Sequence, residues 1–254
     1  MASGFSTNKS SPVLKRVAFV ALKDTRQDSD QISRLERYFQ TSLQKLSGFS
    51  SVPEVQVDHA LDEVLSGLMK EEMDLAQSHY YQFHFSQAEE FLLGRMDEEA
   101  LKMRALIAFL EGHQERSRVF LEKLLKNFQK VEFSSRDYPP HFLTLFKEVS
   151  KKTTKDSGRI LKVGGSYFLN EEEIQSWKGR FQKLLHRMDW DYLILYRMEK
   201  IGWNDKITIY LFSQNPQEKI KVKSAEIIDS EDLSKAANIL MKTAFSVDTL
   251  RSIK

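Results

Sequence analysis

Phe83-His84-Phe85-Ser86-Gln87-Ala88 and Gly112-His113-Gln114-Glu115-Arg116-Ser117 are two copies of one short phrase, and they decide how the middle of the chain folds. Each follows a run rich in aromatic or aliphatic residues and precedes another such run. A break of this kind between two apolar-periodic runs is the turn of a helical hairpin. Five places into each copy stands a small residue, Ala88 and then Ser117. Small side chains at a crossing let helix axes approach to about 8–10 Å. Both phrases lie inside residues 71–149, a stretch almost purely helical in pattern.

Outward from the phrases, helices are expected over 75–83, 86–95, 98–110 and 114–128, with Asp97 capping the third. Asp137-Tyr138-Pro139-Pro140 opens a fifth, carrying Phe142, Leu145, Phe146 and Val149 on one face. Proline is tolerated in a first turn because the N–H it lacks would be unpaired anyway.

The flanks read differently. Val17 to Leu22 is apolar at every position, the pattern of a central strand covered on both faces. Ile32, Leu35, Phe39, Leu43 and Leu46 recur at helical spacing, and Gly48 suits the position after a helix end. A short strand over 49–52 and a helix from Pro53 carrying Val57, Leu61, Val64, Leu65 and Leu68 follow. A strand–helix–strand unit of this length implies a parallel pair. Beyond a Lys/Thr/Ser-rich linker at 151–158, a strand over 160–168 is interrupted at Gly164-Gly165. Asn170 with Glu173 caps a helix holding Ile174, Trp177, Phe181, Leu184 and Leu185. Strands over 192–199, 206–213 and 219–228, joined by short turns, form antiparallel hairpins. Ser230 caps a last helix bearing Leu233, Ala236, Ala237, Leu240, Met241 and Phe245.

Two leading strands are too few to bury both faces of 17–22. The expected fold class is therefore α+β: a mixed-sheet α/β domain of residues 13–69 plus 156–254, an inserted helical domain of residues 70–155, and a flexible tail of residues 1–12.

The hairpins resemble tetratricopeptide repeats, through Tyr80-Tyr81, Phe85 and Ala88 in the first copy and Ala105, Leu106, Gly112 and Ser117 in the second. The phrases are 29 residues apart (83 to 112) rather than the family's period of about 34. Phe83 stands where the family prefers Gly, and Ser117 where it prefers Ala. The resemblance covers two degenerate repeats and a capping helix, about a third of the chain. The flanks look like the α/β domain of the curli-secretion lipoprotein and the amino-terminal domain of the Tol–Pal propeller protein. That likeness lies in Arg16 to Leu22, in Phe49 to Val52 before a helix, and in Trp190 to Tyr196 leading into hairpins. It implies non-enzymatic, envelope-associated bacterial proteins.

Composition narrows the chemistry. The chain is 41% hydrophobic and 29% charged with a net charge of +2, ordinary for a globular protein and too small a charge to argue for nucleic acid. No apolar run approaches the ~18 residues of a transmembrane helix. The absence of cysteine excludes disulfides, thiolate catalysis and cysteine metal sites. His79 and His84 face different sides of a helix and have no partner ligand in sequence, so no metal is expected. Val163-Gly164-Gly165-Ser166 lacks the spacing of a phosphate loop, and no serine has a nucleophile elbow around it. Glu89-Glu90 and Glu171-Glu172-Glu173 sit at helix starts, where the dipole favours them. The basic residues Lys147, Lys151, Lys152, Lys155, Arg159 and Lys162, and the alternating Lys219, Lys221 and Lys223, lack interleaved aromatics for base stacking. The Ser-rich start has no apolar signal core. It reads as a flexible terminus or as the tether left after removal of a signal or lipidated segment. The chain is then periplasmic or outer-membrane-associated in the second case and cytoplasmic in the first.

Two functions stay open. One is a non-enzymatic protein-binding or scaffold protein whose stacked hairpins offer a groove to a peptide or helix, with Gln77, Tyr81, Lys102 and Arg104 as exposed candidates on the first helices. The other is a small-ligand or enzymatic domain with a site at the strand carboxyl edge near residues 23–28, where Asp24 and Asp28 lie but no glycine does. No catalytic residue, metal or cofactor is expected, and the partner expected is a protein, not a nucleic acid.

Overall fold

The computed structural model describes residues 13–23, 29–128, 130–153, 160–163, 167–227 and 232–246. Strand β1 (Lys15–Lys23) is the centre of a mixed sheet. It pairs in parallel with β5 (Tyr192–Ile201) over Val17–Ala21 and Tyr192–Tyr196. On its other edge it pairs in parallel with β2 (Phe49–Ser51) near its start. Near its end it pairs antiparallel with β3 (Ile160–Val163). Hairpins extend the sheet: β4 (Tyr167–Asn170) beside β3, then β6 (Asn204–Ser213) and β7 (Lys221–Ile227) beyond β5. The strands thus come from both sides of the helical stretch, and the protein is α+β.

The alternation along each strand sorts the core into two layers. Val17, Phe19, Ile194, Tyr196, Ile207 and Ile209 face α1 (Ser29–Gln44) and α9 (Leu233–Ala244), meeting Leu35, Phe39, Ala237 and Met241. The Tyr196 hydroxyl donates to Glu36 on α1, and burial first, then the Glu36 carboxylate, raises its pKa. Ala18, Val20, Leu22, Leu193, Leu195 and Phe212 face the other way. They meet α8 (Lys178–Met188) through Phe181, Leu184 and Leu185, and the helix after Pro53 through Val57, Leu61 and Leu65.

That helix differs from the sequence expectation of two separate pieces. α2 (Glu54–His59) passes through a π-helical turn, Ala60–Leu65, directly into α3 (Ser66–Tyr81). No proline interrupts residues 54–81, and Leu68, Met69, Met73 and Ala76 are buried at helical spacing, so nothing ends the helix at residue 69. A helical hairpin stack continues as α4 (Phe85–Leu92), α5 (Glu98–Leu110), α6 (Gln114–Asn127) and α7 (Pro140–Lys152). Asp97 caps α5 by accepting from the Ala100 N–H. A 3₁₀ segment, Glu171–Trp177, leads into α8. The expected cap at Ser230 and the Gly164-Gly165 break lie outside the described residues.

The stack is joined to the sheet layer through the C-terminal end of α4. Arg180 on α8 pairs with Glu72 on α3 at 2.6 Å and donates to the carbonyls of Leu93 and Phe91 at 2.8 and 2.9 Å. Its guanidinium lies 5.0 Å from the Trp177 ring, whose Nε1 donates to the Gly94 carbonyl at 2.8 Å. Cations belong at helix C-termini, where unpaired carbonyls carry partial negative charge. Gly94 holds φ +74°, and a Cβ there would lie 1.8 Å from Ser176 Oγ.

Candidate partner-binding site

The two phrases singled out in the sequence fold into the same turn. Gln82 and Glu111 close α3 and α5 near the helical region, and His84 and His113 open α4 and α6 at φ/ψ of −88°/64° and −85°/65°. Between them Phe83 and Gly112 both have positive φ, +60° and +81°. The hydrogen bonds match as well. Phe83 and Gly112 N–H reach Tyr80 and Phe109 carbonyls, and His84 and His113 N–H reach His79 and Ala108 carbonyls. This is a Schellman-type helix end, whose left-handed residue is normally glycine. Ala88 and Ser117 are fully buried at the two crossings, and Ser117 Oγ donates to the Ala105 carbonyl at 2.8 Å.

Phe83 is the exception to glycine, and it is 78% exposed. It belongs to a row of four rings. Tyr81 lies 5.5 Å from Tyr80, Tyr80 lies 5.8 Å from Phe85, and Phe85 lies 6.1 Å from Phe83. Tyr81, at the far end of the row, is 76% exposed. Tyr80 and Phe85 are half-buried and pack on Met73, Ala76, Ala88 and Leu92. Two protruding rings therefore flank a floor of two recessed ones. Burial, then the neighbouring Tyr81, pushes the Tyr80 pKa up, so its hydroxyl stays a donor. Tyr138 lies within electrostatic reach of Tyr80, and its pKa is raised by burial and then by Asp137, with Tyr80, Glu98 and Glu99 contributing.

The sequence candidates fare unequally. Gln77 and Tyr81 are exposed and, four apart on α3, share a face. Arg104 is a correction: expected exposed, it is 5% exposed, with its guanidinium 4.3 Å from the Phe120 ring. Lys102 is only partly exposed. It pairs with Glu98 at 2.6 Å and lies 5.4 Å from the Phe133 ring. Residues two apart on a helix point about 200° away from each other, so Lys102 and Arg104 cannot share one surface. The structure brings Gln77 and Tyr81 together with Phe83 and Phe85, which sequence reasoning did not assign to a site. A signal was available: residues 77–88 carry no Asp, Glu, Lys or Arg in a chain that is 29% charged.

Elsewhere, residues 24–28 at the strand carboxyl edge lie outside the described residues. Among the described residues no group of three or more His, Asp or Glu could hold a metal ion, and no helix is long and apolar enough to cross a membrane. An open depression is lined by Gly112, His113, Gln114, Glu115 and Arg116. Arg116 there is tied to Glu89 at 2.6 Å. Comparison with protein-family models, with curated proteins and with solved structures gives no match.

Proposed function

We propose that this chain is a non-enzymatic protein-binding or scaffold protein that takes a partner peptide or helix on its helical hairpins. The observation that carries this reading is Phe83. One turn geometry occurs twice, and glycine serves it at residue 112, whereas at residue 83 an exposed aromatic holds the left-handed conformation. Backbone strain of this kind clusters at active sites, ligand clamps and switch regions, and an exposed strained aromatic with no charged neighbour in its segment fits a contact surface best. The neighbouring exposed Tyr81 and the uncharged run around it support a contact surface, as does the likeness of the hairpins to tetratricopeptide repeats. The likeness of the flanks to envelope-associated bacterial domains directs the search to envelope fractions first.

Site-specific photo-cross-linking tests the reading. A benzophenone amino acid at Tyr81 should give a discrete protein adduct in an envelope extract, and the same probe at exposed Lys183 on α8 should not. Equal adduct patterns from both positions, or none from Tyr81, would overturn it.

A further inference from the structure

We infer that the ring row Tyr81–Tyr80–Phe85–Phe83 is a slot for an uncharged, proline-rich segment in the polyproline II conformation. The inference rests on the protein-binding reading above and names the chemistry of the partner. Three observations support it.

The first is charge. No ionisable carboxylate, ammonium or guanidinium group is contributed by residues 77–88, while the rest of the surface is rich in both signs. A basic ligand would find no carboxylate on this segment, and an acidic one would find only the imidazoles of His79 and His84. Nucleic acid and anionic lipid are disfavoured for the same reason.

The second is shape. Adjacent rings stand steeply to one another at both ends, 68° between Tyr80 and Tyr81 and 76° between Phe83 and Phe85. Two exposed outer rings beside two recessed ones give a ridged aromatic surface, the kind that receives proline rings. A polyproline II helix rises about 9 Å per three-residue turn. Successive centroid steps of 5.5, 5.8 and 6.1 Å bound the slot at under two such turns.

The third is hydrogen bonding. A polyproline II segment has no internal hydrogen bonds, so its carbonyls need donors. The slot offers the hydroxyl of exposed Tyr81 and the exposed amides of Gln77 and Gln82, the last with one N–H given to Ser78. An amphipathic helix has already satisfied its carbonyls and would leave these donors without use.

The test uses the full chain and three labelled peptides of equal length, read by fluorescence polarisation. One is a capped Ala-Pro-Pro repeat, one a capped neutral amphipathic helix, one an acidic extended peptide. The proline peptide should bind saturably, and both Tyr81→Ser and Phe83→Gly should weaken it by about tenfold or more, as loss of a central aromatic contact does. Phe83→Gly should melt no lower than the parent, which separates lost contact from lost fold. Retention of binding in both variants would overturn the slot. Binding of the helical peptide instead, lost in the variants, would overturn the polyproline occupant and leave the protein-binding reading standing. Binding of the acidic peptide alone would overturn the charge argument and the inference with it. No binding by any peptide, while cross-linking from Tyr81 still yields its adduct, would overturn the inference only. Failure of both experiments would remove both readings.

Discussion

At the scale of one residue, Phe83 sets the fold against the surface. A non-glycine residue in the left-handed region costs about 1–2 kcal/mol. Replacing it by glycine relieves that strain but enlarges the unfolded ensemble, which takes back about 0.4–1 kcal/mol. The ring contact to Phe85 is also lost, though Phe83 itself is mostly in water. Phe83→Gly should therefore leave the stability unchanged or raise it, by at most about 1.5 kcal/mol, read as a denaturant midpoint no lower than the parent's with unchanged slope. A lower midpoint would mean that Phe83 is retained for stability, which removes the main support for a binding role. The same scale shows where sequence reading stops. Arg104 on α5 was expected at the surface because arginine usually is. Its partner ring, Phe120, is on α6, and no pattern within α5 discloses a stack made across a hairpin. Lys102 is drawn in by Phe133 in the same way.

At the scale of elements, local chemistry was legible wherever a turn or cap states its own requirement. Asp97 marks the start of α5, and Gly112 marks a left-handed residue. Gly202 does so again, at φ +62° in a two-residue hairpin turn. That turn type fixes only its first residue, and Trp203, 97% exposed, follows from nothing in the fold. The single helix running from Glu54 to Tyr81 was less legible, because a π-helical turn shifts its apolar stripe. Two periodic segments out of phase read as two helices. The crossing at Ala88 was legible from its small side chain, and its burial gives a prediction. Ala88→Arg would force several heavy atoms into a closed crossing at about 1–3 kcal/mol, plus the larger cost of a buried charge. The adjacent Glu89 already pairs with Arg116 through Oε2. Amide exchange should then accelerate through α3 to α5 while β5 and β6, whose buried residues belong to the two sheet cores and not to the cluster around Ala88, keep their protection. Unchanged exchange in α3 and α4 would place residue 88 away from any crossing.

At the scale of the whole molecule, the question is what holds the hairpins to the sheet. The strand pairing of β1 with β5 brings together residues about 175 apart in sequence, and the apolar run at 17–22 announced only that such partners must exist. The join itself was hidden. Glu72 and Arg180 are 108 residues apart, and each looks in isolation like a surface charge on a helix. In place, both are buried, and Arg180 also holds the Phe91 and Leu93 carbonyls at the end of α4. Removing one partner from a buried pair leaves an uncompensated charge and costs about 3–5 kcal/mol, whereas removing both for apolar groups costs far less. Arg180→Met should therefore be severe, because it strands the Glu72 carboxylate and two carbonyls together. Glu72→Met should be milder, since Arg180 keeps its carbonyl acceptors. In the double variant no carboxylate remains at residue 72 to be stranded, so the loss should fall well below the sum of the two singles and approach the cost of the two freed carbonyls, about 1–3 kcal/mol each. Urea unfolding of the four proteins closes the cycle. Strictly additive losses would show that the two charges act independently, and that Arg180 seats the hairpins through the Phe91 and Leu93 carbonyls rather than through Glu72.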